Sequence, residues 1–169
     1  MKVRKLLILS VVVLLSFFYN ACRSNMGDSE TIAFNGISFQ LQGNWNVTTE
    51  EVLHNSLYYI GCEKNDDTAD LFVVRFSKEE ISPVIFLKDY LHKLNSKTTL
   101  LYDKIENGKF GKYECIFANY SFLMTISTYH GTVYAFEAED KVVLVVKQTD
   151  SKRRLNKVFA LPESSFQVD

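Results

Sequence analysis

Residues 141–148 read Lys-Val-Val-Leu-Val-Val-Lys-Gln, and the apolar run Val142–Val146 within them decides the fold class. A short run of β-branched residues and leucine, with no polar interruption, is typical of a strand that is covered on both faces. Such a strand needs a neighbour along each edge and a packing layer above and below it. We therefore predict the central strand of a sheet at this point.

Further strand patterns precede the run, at residues 100–105, 112–119, 123–128 and 132–138. Glu139-Asp140 is the turn directly before the run. Asn107-Gly108 is the pair preferred in two-residue hairpin turns, and it predicts a hairpin between the first two of these strands. Another turn falls either at 121–123 or at His130-Gly131, and alternation of apolar and polar residues does not separate these alternatives.

Ser82-Pro83 predicts the start of a helix, because serine is a favourable N-cap and proline is tolerated at the first helical position. One apolar face follows at three- and four-residue spacing: Val84, Leu87, Leu91 and Leu94. The helix is expected to end near residues 95–97. A second, short helix is predicted from residues 150–151 through Phe159, closed by Pro162.

The segment before the first helix has further strand patterns. Residues 37–41 alternate apolar and polar side chains, while 57–62 and 71–76 are apolar runs that flank a polar turn at 64–70. That turn holds three aspartates without the spacing or the closing glutamate of a calcium loop, so it predicts a solvated turn. Together the elements predict an α+β fold, an antiparallel sheet of about six to seven strands with helices packed on it.

Two segments resemble PsbP-like domains: Gly36-Ile-Ser-Phe-Gln-Leu-Gln-Gly-Asn-Trp-Asn-Val47, and the closing Val158-Phe159 with Ser165-Phe166. The resemblance covers about residues 32–166 and implies an α-β-α sandwich around an antiparallel sheet. It implies no single function, because members include a photosystem subunit, a Ran-binding import factor, envelope lipoproteins and adaptors for secreted effectors. What these members share is the binding of other macromolecules, and no functional residue of the family can be placed on this chain.

The first residues predict export. Met1–Lys5 carries three positive charges, an apolar run follows from Leu6 to Tyr19, and Ala21 precedes Cys22, as in a secretory signal peptide. The apolar run is shorter than the roughly 20 residues that a membrane-spanning helix needs. The small residue before Cys22 resembles the lipobox of bacterial lipoproteins, so cleavage before Cys22 and lipid attachment to its thiol are expected. Arg23 at the next position favours the outer membrane, by analogy with the sorting of enteric lipoproteins.

The predicted organisation is a lipoprotein signal peptide at 1–21, a flexible tether at 22–31 and one domain at 32–169. Cleavage would remove three basic residues and leave an excess of about four acidic side chains, which argues against nucleic-acid binding. Lys152, Arg153, Arg154 and Lys157 form one local basic cluster. A solvated helix face is the simpler interpretation of this cluster, and contact with anionic head groups or an acidic partner is the alternative.

Cys62 and Cys115 lie in strand-like surroundings. An oxidising compartment permits a disulfide between them, and two separately buried thiols are the alternative.

Catalytic and metal-binding patterns are missing from the sequence. His54, His92 and His130 have no neighbours at ligand spacing, and the adjacent glutamate pairs point apart on any regular element. We predict no cofactor, no metal and no enzymatic activity. The leading hypothesis is a lipid-anchored envelope protein whose domain binds a protein or envelope partner. Alternatives are a carrier with a pocket for a small apolar ligand between the sheet and the 83–95 helix, and a hydrolase built on His54 or His130.

Overall fold

The computed structural model describes residues 28–52, 57–66 and 68–169. The signal peptide, Cys22 and His54 lie outside these residues. The strands before the first helix are β1 Ser29–Phe34, β2 Ile37–Gln42, β3 Trp45–Val52, β4 Leu57–Lys64 and β5 Leu71–Ser77. Helix α1 is Pro83–Asn95. After it come β6 Thr99–Tyr102, β7 Glu106–Phe110, β8 Tyr113–Met124, β9 Ser127–Ala138, β10 Lys141–Thr149, α2 Leu155–Val158, α3 Ala160–Ser165 and β11 Gln167–Val168.

Eight strands form the main sheet, in the order β3-β4-β5-β10-β9-β8-β6, with β7 also paired to β8. All of these pairings are antiparallel. Strand β10 lies in the middle, and Val143, Leu144, Val145 and Val146 on both of its faces are inaccessible to solvent. The prediction of a central strand at this run is confirmed.

A second sheet, in the order β1-β2-β11, covers one face of the main sheet together with the C-terminal helices. Aromatic rings join these layers. Phe39 of β2 packs at 5.0 Å between ring centroids against Phe72 of β5, and Phe72 in turn stacks at 6.0 Å on Phe159 after α2. This face therefore holds the larger of the two cores.

Helix α1 covers the other face of the main sheet. It starts at Pro83 as predicted, and Phe86, Leu87 and Leu91 are its buried residues. Val84, which the periodicity placed on the inner face, is exposed. The helix, the main sheet and the second sheet with its helices make three layers, so the α+β class is confirmed.

Several predicted boundaries differ from the structure. Strand β1 begins at Ser29, inside the predicted tether, because its backbone pairs with β2 along its whole length. Asn107-Gly108 is not a turn: both residues lie in β7, and the hairpin reverses at Gly111, whose φ of 56° suits glycine. Residues 123–128 are not a separate strand either, since β8 and β9 meet at a tight turn around Thr125. Pro162 lies inside α3 rather than closing a helix.

Candidate functional site

An open groove of about 470 Å³ lies on the face of the main sheet that carries the C-terminal helices, at the margin that these helices leave uncovered. We call it the β6 groove. Its walls are Leu101–Asp103 of β6 and the loop after it on one side, and Lys152, Leu155 and Asn156 on the other. Residues 119–121 of β8, residues 130–132 of β9 and Tyr134 line the floor.

The floor is polar and partly fixed by hydrogen bonds. Thr132 Oγ1 donates to Asn119 Oδ1 at 2.9 Å, and the Asp103 N–H donates to the Asn119 carbonyl oxygen at 2.9 Å. His130 is half-buried opposite Ser121 in the register of β8 and β9. An amide, hydroxyls and an imidazole that face a solvent-accessible cleft can hydrogen-bond a polypeptide or another polar partner.

The outer wall of the groove is an exposed apolar edge. Strand β6 is the last strand of the main sheet, and Leu101 and Tyr102 on it are 70% and 55% exposed. An edge strand has unpaired backbone groups along one side, and such edges bind a further strand unless they are protected. Leu101 and Tyr102 therefore place exposed apolar surface beside an unpaired strand edge.

The opposite wall is held by a buried ion pair. Arg154 Nη2 donates to Asp70 Oδ2 at 2.6 Å, and the Asp70 side chain is completely buried. Lys64 Nζ lies 3.7 Å from the same oxygen. The pair joins the turn between β4 and β5 to the segment that leads into α2, and so fixes the position of Lys152 and Leu155 beside the groove.

The ion pair divides the predicted basic cluster. Arg154 is committed to Asp70 and Asp150, whereas Lys152, Arg153 and Lys157 are exposed and form no ion pair with the described residues. The predicted anionic-partner patch is thus reduced to three residues. The turn at 64–70 is also less solvated than predicted, because Asp70 is buried; Asp66 is exposed, and its hydrogen bond to Thr68 lowers the pKa of its carboxyl group.

Both cysteines of the domain are free and buried thiols. Cys62 lies on β4 and Cys115 on β8, with β5, β10 and β9 between them in the sheet, a separation of roughly 19 Å along the sheet. Cys62 and Cys115 are therefore two separate thiols and do not form a disulfide with each other, which needs Cα atoms within about 7 Å. Burial raises the pKa of Cys62 to about 12 and that of Cys115 to about 11, so both thiols are neutral and unreactive at neutral pH.

A second buried ion pair lies beneath α3. Lys147 of β10 is almost fully buried, its Nζ is 2.6 Å from Glu163 Oε2, and it lies 4.8 Å above the ring of Tyr134. The cation therefore has a carboxylate on one side and a π face on the other. Because Tyr134 also lines the β6 groove, this pair ties the groove floor to the C-terminal helices.

Within the part of the chain that the structure describes, no group of three or more His, Cys, Asp or Glu residues could hold a metal ion. His130 makes no hydrogen bond to a serine or cysteine of these residues, so the arrangement predicted for a hydrolase is not formed there; His54 cannot be placed. Among the same residues no helix has the length and apolar character required to cross a membrane.

Solved structures share this architecture. The solution structure of cyanobacterial PsbP (CyanoP) from Synechocystis matches over 86% of this chain and 95% of its own, with a TM-score of 0.60 and 11% identity. LpqN, described as involved in cell envelope biogenesis of Mycobacterium tuberculosis, matches over 86% and 93%, with a TM-score of 0.51 and 11% identity.

A structure from Bacteroides thetaiotaomicron matches with a TM-score of 0.57 and 12% identity; the match covers 85% of this chain and about half, 49%, of that one. No protein-family model matches the sequence, and no curated protein matches it significantly. The structural matches show that the chain has the PsbP-like fold, as the sequence resemblance implied.

Proposed function

We propose that this protein is a lipid-anchored, non-enzymatic component of the bacterial cell envelope whose domain binds a segment of a protein partner at the β6 groove. The observation that carries the proposal is the combination of an exposed apolar edge at Leu101 and Tyr102 with a polar floor next to it. A partner strand added to β6 would satisfy its free backbone groups, and a continuation of that segment across the groove would contact Asn119 and His130.

Location in the envelope rests on two separate lines of support. The sequence predicts a signal peptide over residues 1–21 with cleavage before Cys22, and one protein with the same fold, LpqN, is described as involved in cell envelope biogenesis. We propose the outer membrane as the site of anchoring, on the ground of Arg23. Membrane fractionation of the wild type and of Cys22→Ala tests the anchor: the wild type should sediment with membranes, and equal sedimentation of the variant would refute attachment through Cys22.

The carrier hypothesis finds little support, because side chains fill the space between α1 and the sheet. Leu87 of α1 and Leu144 and Val146 of β10 have no solvent exposure. A ligand in this layer would have to displace packed residues, which is costly in a close-packed core. The open β6 groove is better shaped for a chain segment than for an enclosed apolar molecule.

Site-specific photocrosslinking tests partner binding. A photoreactive amino acid in place of Leu101 should give a discrete crosslinked product in intact cells, and the same amino acid at Thr48, exposed on the opposite edge strand, is the matched control. The product should disappear when Asn119 is replaced by lysine, which fills the floor; because this change also removes the acceptor of the Thr132 hydrogen bond, circular dichroism must show an unchanged fold. Crosslinking of equal yield at both positions, or none at Leu101, would refute the groove as the binding site.

A further inference from the structure

The β8–β9 hairpin ends in an exposed apolar tip. The pairing of β9 with β10 ends at His130 and Thr149. Strands β8 and β9 continue beyond this pair for roughly 10 Å, as far as the pair Met124 and Ser127. The side chains exposed there are Leu123 (61%), Met124 (58%) and Ile126 (93%). Three clustered apolar side chains that protrude into solvent are unusual for a monomer and mark a contact surface.

The described chain begins at the same end of the molecule. Ser29 pairs with Gln42, and the Gln42 carbonyl oxygen accepts a hydrogen bond from Trp45 Nε1 at 3.1 Å. Trp45 is the first residue of β3 and lies beside Lys64 of β4. The same line of residues, running across the strands of the main sheet, continues through β5 to Thr149 of β10. The hairpin extends beyond this line. When fully extended, residues 22–29 span at most roughly 24 Å. A lipid on Cys22 would therefore lie within roughly 24 Å of Ser29, at the end of the molecule from which the hairpin tip protrudes, although Trp45 and the hairpin are separated by about 19 Å across the sheet.

Charge distinguishes this end from the opposite one. Lys152, Arg153 and Lys157 follow β10 at the hairpin end and form no ion pair with the described residues. Nearby Asp66 and Asp70 are paired with Lys64 and Arg154, whereas Asp28, Glu30 and Asp103 at this end are exposed acids without an ion pair among the described residues. The opposite end groups five acidic residues around one shallow cleft together with only two lysines: Glu79, Glu80, Glu137, Glu139 and Asp140.

We propose that the hairpin tip inserts into the interfacial region of an anionic phospholipid membrane, with Lys152, Arg153 and Lys157 against its head groups. The proposal rests on the proposed function, because the lipid at Cys22 brings the domain to the surface. A lipid at Cys22 attaches only the start of the chain to the membrane, and a second attachment by apolar and basic residues strengthens the contact and orients the domain. The acidic end then points away from the membrane, and the domain has one fixed orientation.

The buried thiols make a direct test available. Ile126→Cys places a reactive thiol on the tip, and Cys62 and Cys115 stay unlabelled because they are buried and neutral. The purified full chain, labelled with an environment-sensitive fluorophore, is incorporated into phosphatidylcholine nanodiscs with or without phosphatidylglycerol. We expect a blue-shifted emission and quenching by nitroxide-labelled lipids in anionic discs. The matched control, Glu80→Cys at the acidic end, should show neither.

Two variants distinguish the apolar contribution to membrane insertion from the electrostatic one. Replacing both Leu123 and Met124 by aspartate should abolish the quenching without affecting the fold, which circular dichroism checks, because both side chains are exposed. Lys152→Glu with Arg153→Glu should lower the ratio of inserted to free tip by about 30-fold or more in anionic discs, since each cation near such a surface contributes roughly a fivefold factor. The same double variant should change little in neutral discs.

Emission typical of water at position 126 in both kinds of disc, or equal quenching at positions 126 and 80, would overturn the proposal. Both results would leave the tip as a contact for protein rather than lipid. The mass of the N-terminal peptide reports lipid attachment at Cys22 separately, so failure of anchoring and failure of insertion are distinguishable.

Discussion

Replacement of Arg154 by methionine should destabilise the protein far more than the same change at its neighbour Arg153. Arg154 is the closest partner of Asp70, whose side chain is completely buried and whose second oxygen, Oδ1, has no hydrogen-bond partner among the described residues. Removing one member of a buried ion pair typically costs 3–5 kcal/mol, because the other charge stays buried without compensation.

Two features of the structure lower this estimate for Arg154. Its side chain is about one third exposed, and Lys64 remains 3.7 Å from Asp70 as a second cation. We therefore expect a loss of about 2–3 kcal/mol in the free energy of unfolding, or roughly 5–10 °C in Tm. Arg153→Met is the matched control, since it removes an exposed cation without a partner and should change stability by less than about 0.5 kcal/mol.

Urea denaturation followed by the fluorescence of Trp45, the single tryptophan, provides the assay. The ring of Trp45 packs 6.2 Å from that of Phe159, so it reports on the same C-terminal segment that Arg154 holds in place. Asp70→Asn and the double variant complete a double-mutant cycle. The double variant should lose clearly less stability than the sum of the two single variants. Equal effects at Arg153 and Arg154, or additive effects in the cycle, would refute the ion pair as the lock of this segment.

Three further predictions concern the buried groups of the core. Alkylation at pH 7.5 should leave Cys62 and Cys115 unmodified in the folded protein and modify both in urea; rapid modification without urea would contradict the burial that raises their pKa values. Both thiols stay protonated in the folded state but ionise near pH 9 in the unfolded state. The free energy of unfolding should therefore fall above pH 9 by about 1.4 kcal/mol per pH unit for each thiol. Replacing both cysteines by alanine should flatten this pH dependence in Tm measurements. Glu163→Ala should lower the free energy of unfolding in urea by about 2–4 kcal/mol, because Lys147 keeps a buried charge without its partner. Replacing both residues by apolar ones should cost less than this single change. A larger cost for the double replacement would argue against the ion pair.

The sequence predicts those parts of the fold that depend on local signals. The unbroken run at 142–146 gives the central strand, and Pro83 gives the start of α1, because both patterns act through neighbouring residues alone; Ser82 is at the N-cap position but its side chain makes no capping hydrogen bond. Gly108 shows where local signals fail. An Asn-Gly pair prefers a turn, but the ring of Phe117 lies against Gly108, where a Cβ atom would be 2.7 Å from it. Here glycine serves cross-strand packing instead of chain reversal.

The candidate site depends on contacts that no local pattern encodes. Arg153 and Arg154 are adjacent and chemically alike, so the sequence offers no reason to separate them. The structure does so through Asp70, which lies 84 residues away along the chain. The same holds for the β6 groove, whose floor joins Asn119 to Thr132 and whose wall comes from the segment after β10. Only the order of strands in the sheet brings these residues together.

The failure of the strand prediction at 123–128 has the same origin as the proposal for the hairpin tip. Alternation predicts strands on the assumption that apolar residues are buried, and Leu123, Met124 and Ile126 therefore suggest the interior of a strand. Burial of apolar residues is only a tendency, however, and a surface that enters a membrane or meets a partner has the same composition as a core. The reversal at Thr125, at a φ of 59°, exposes all three side chains at the end where the described chain begins. This exposed apolar turn is the observation on which the proposed membrane contact of the hairpin tip rests.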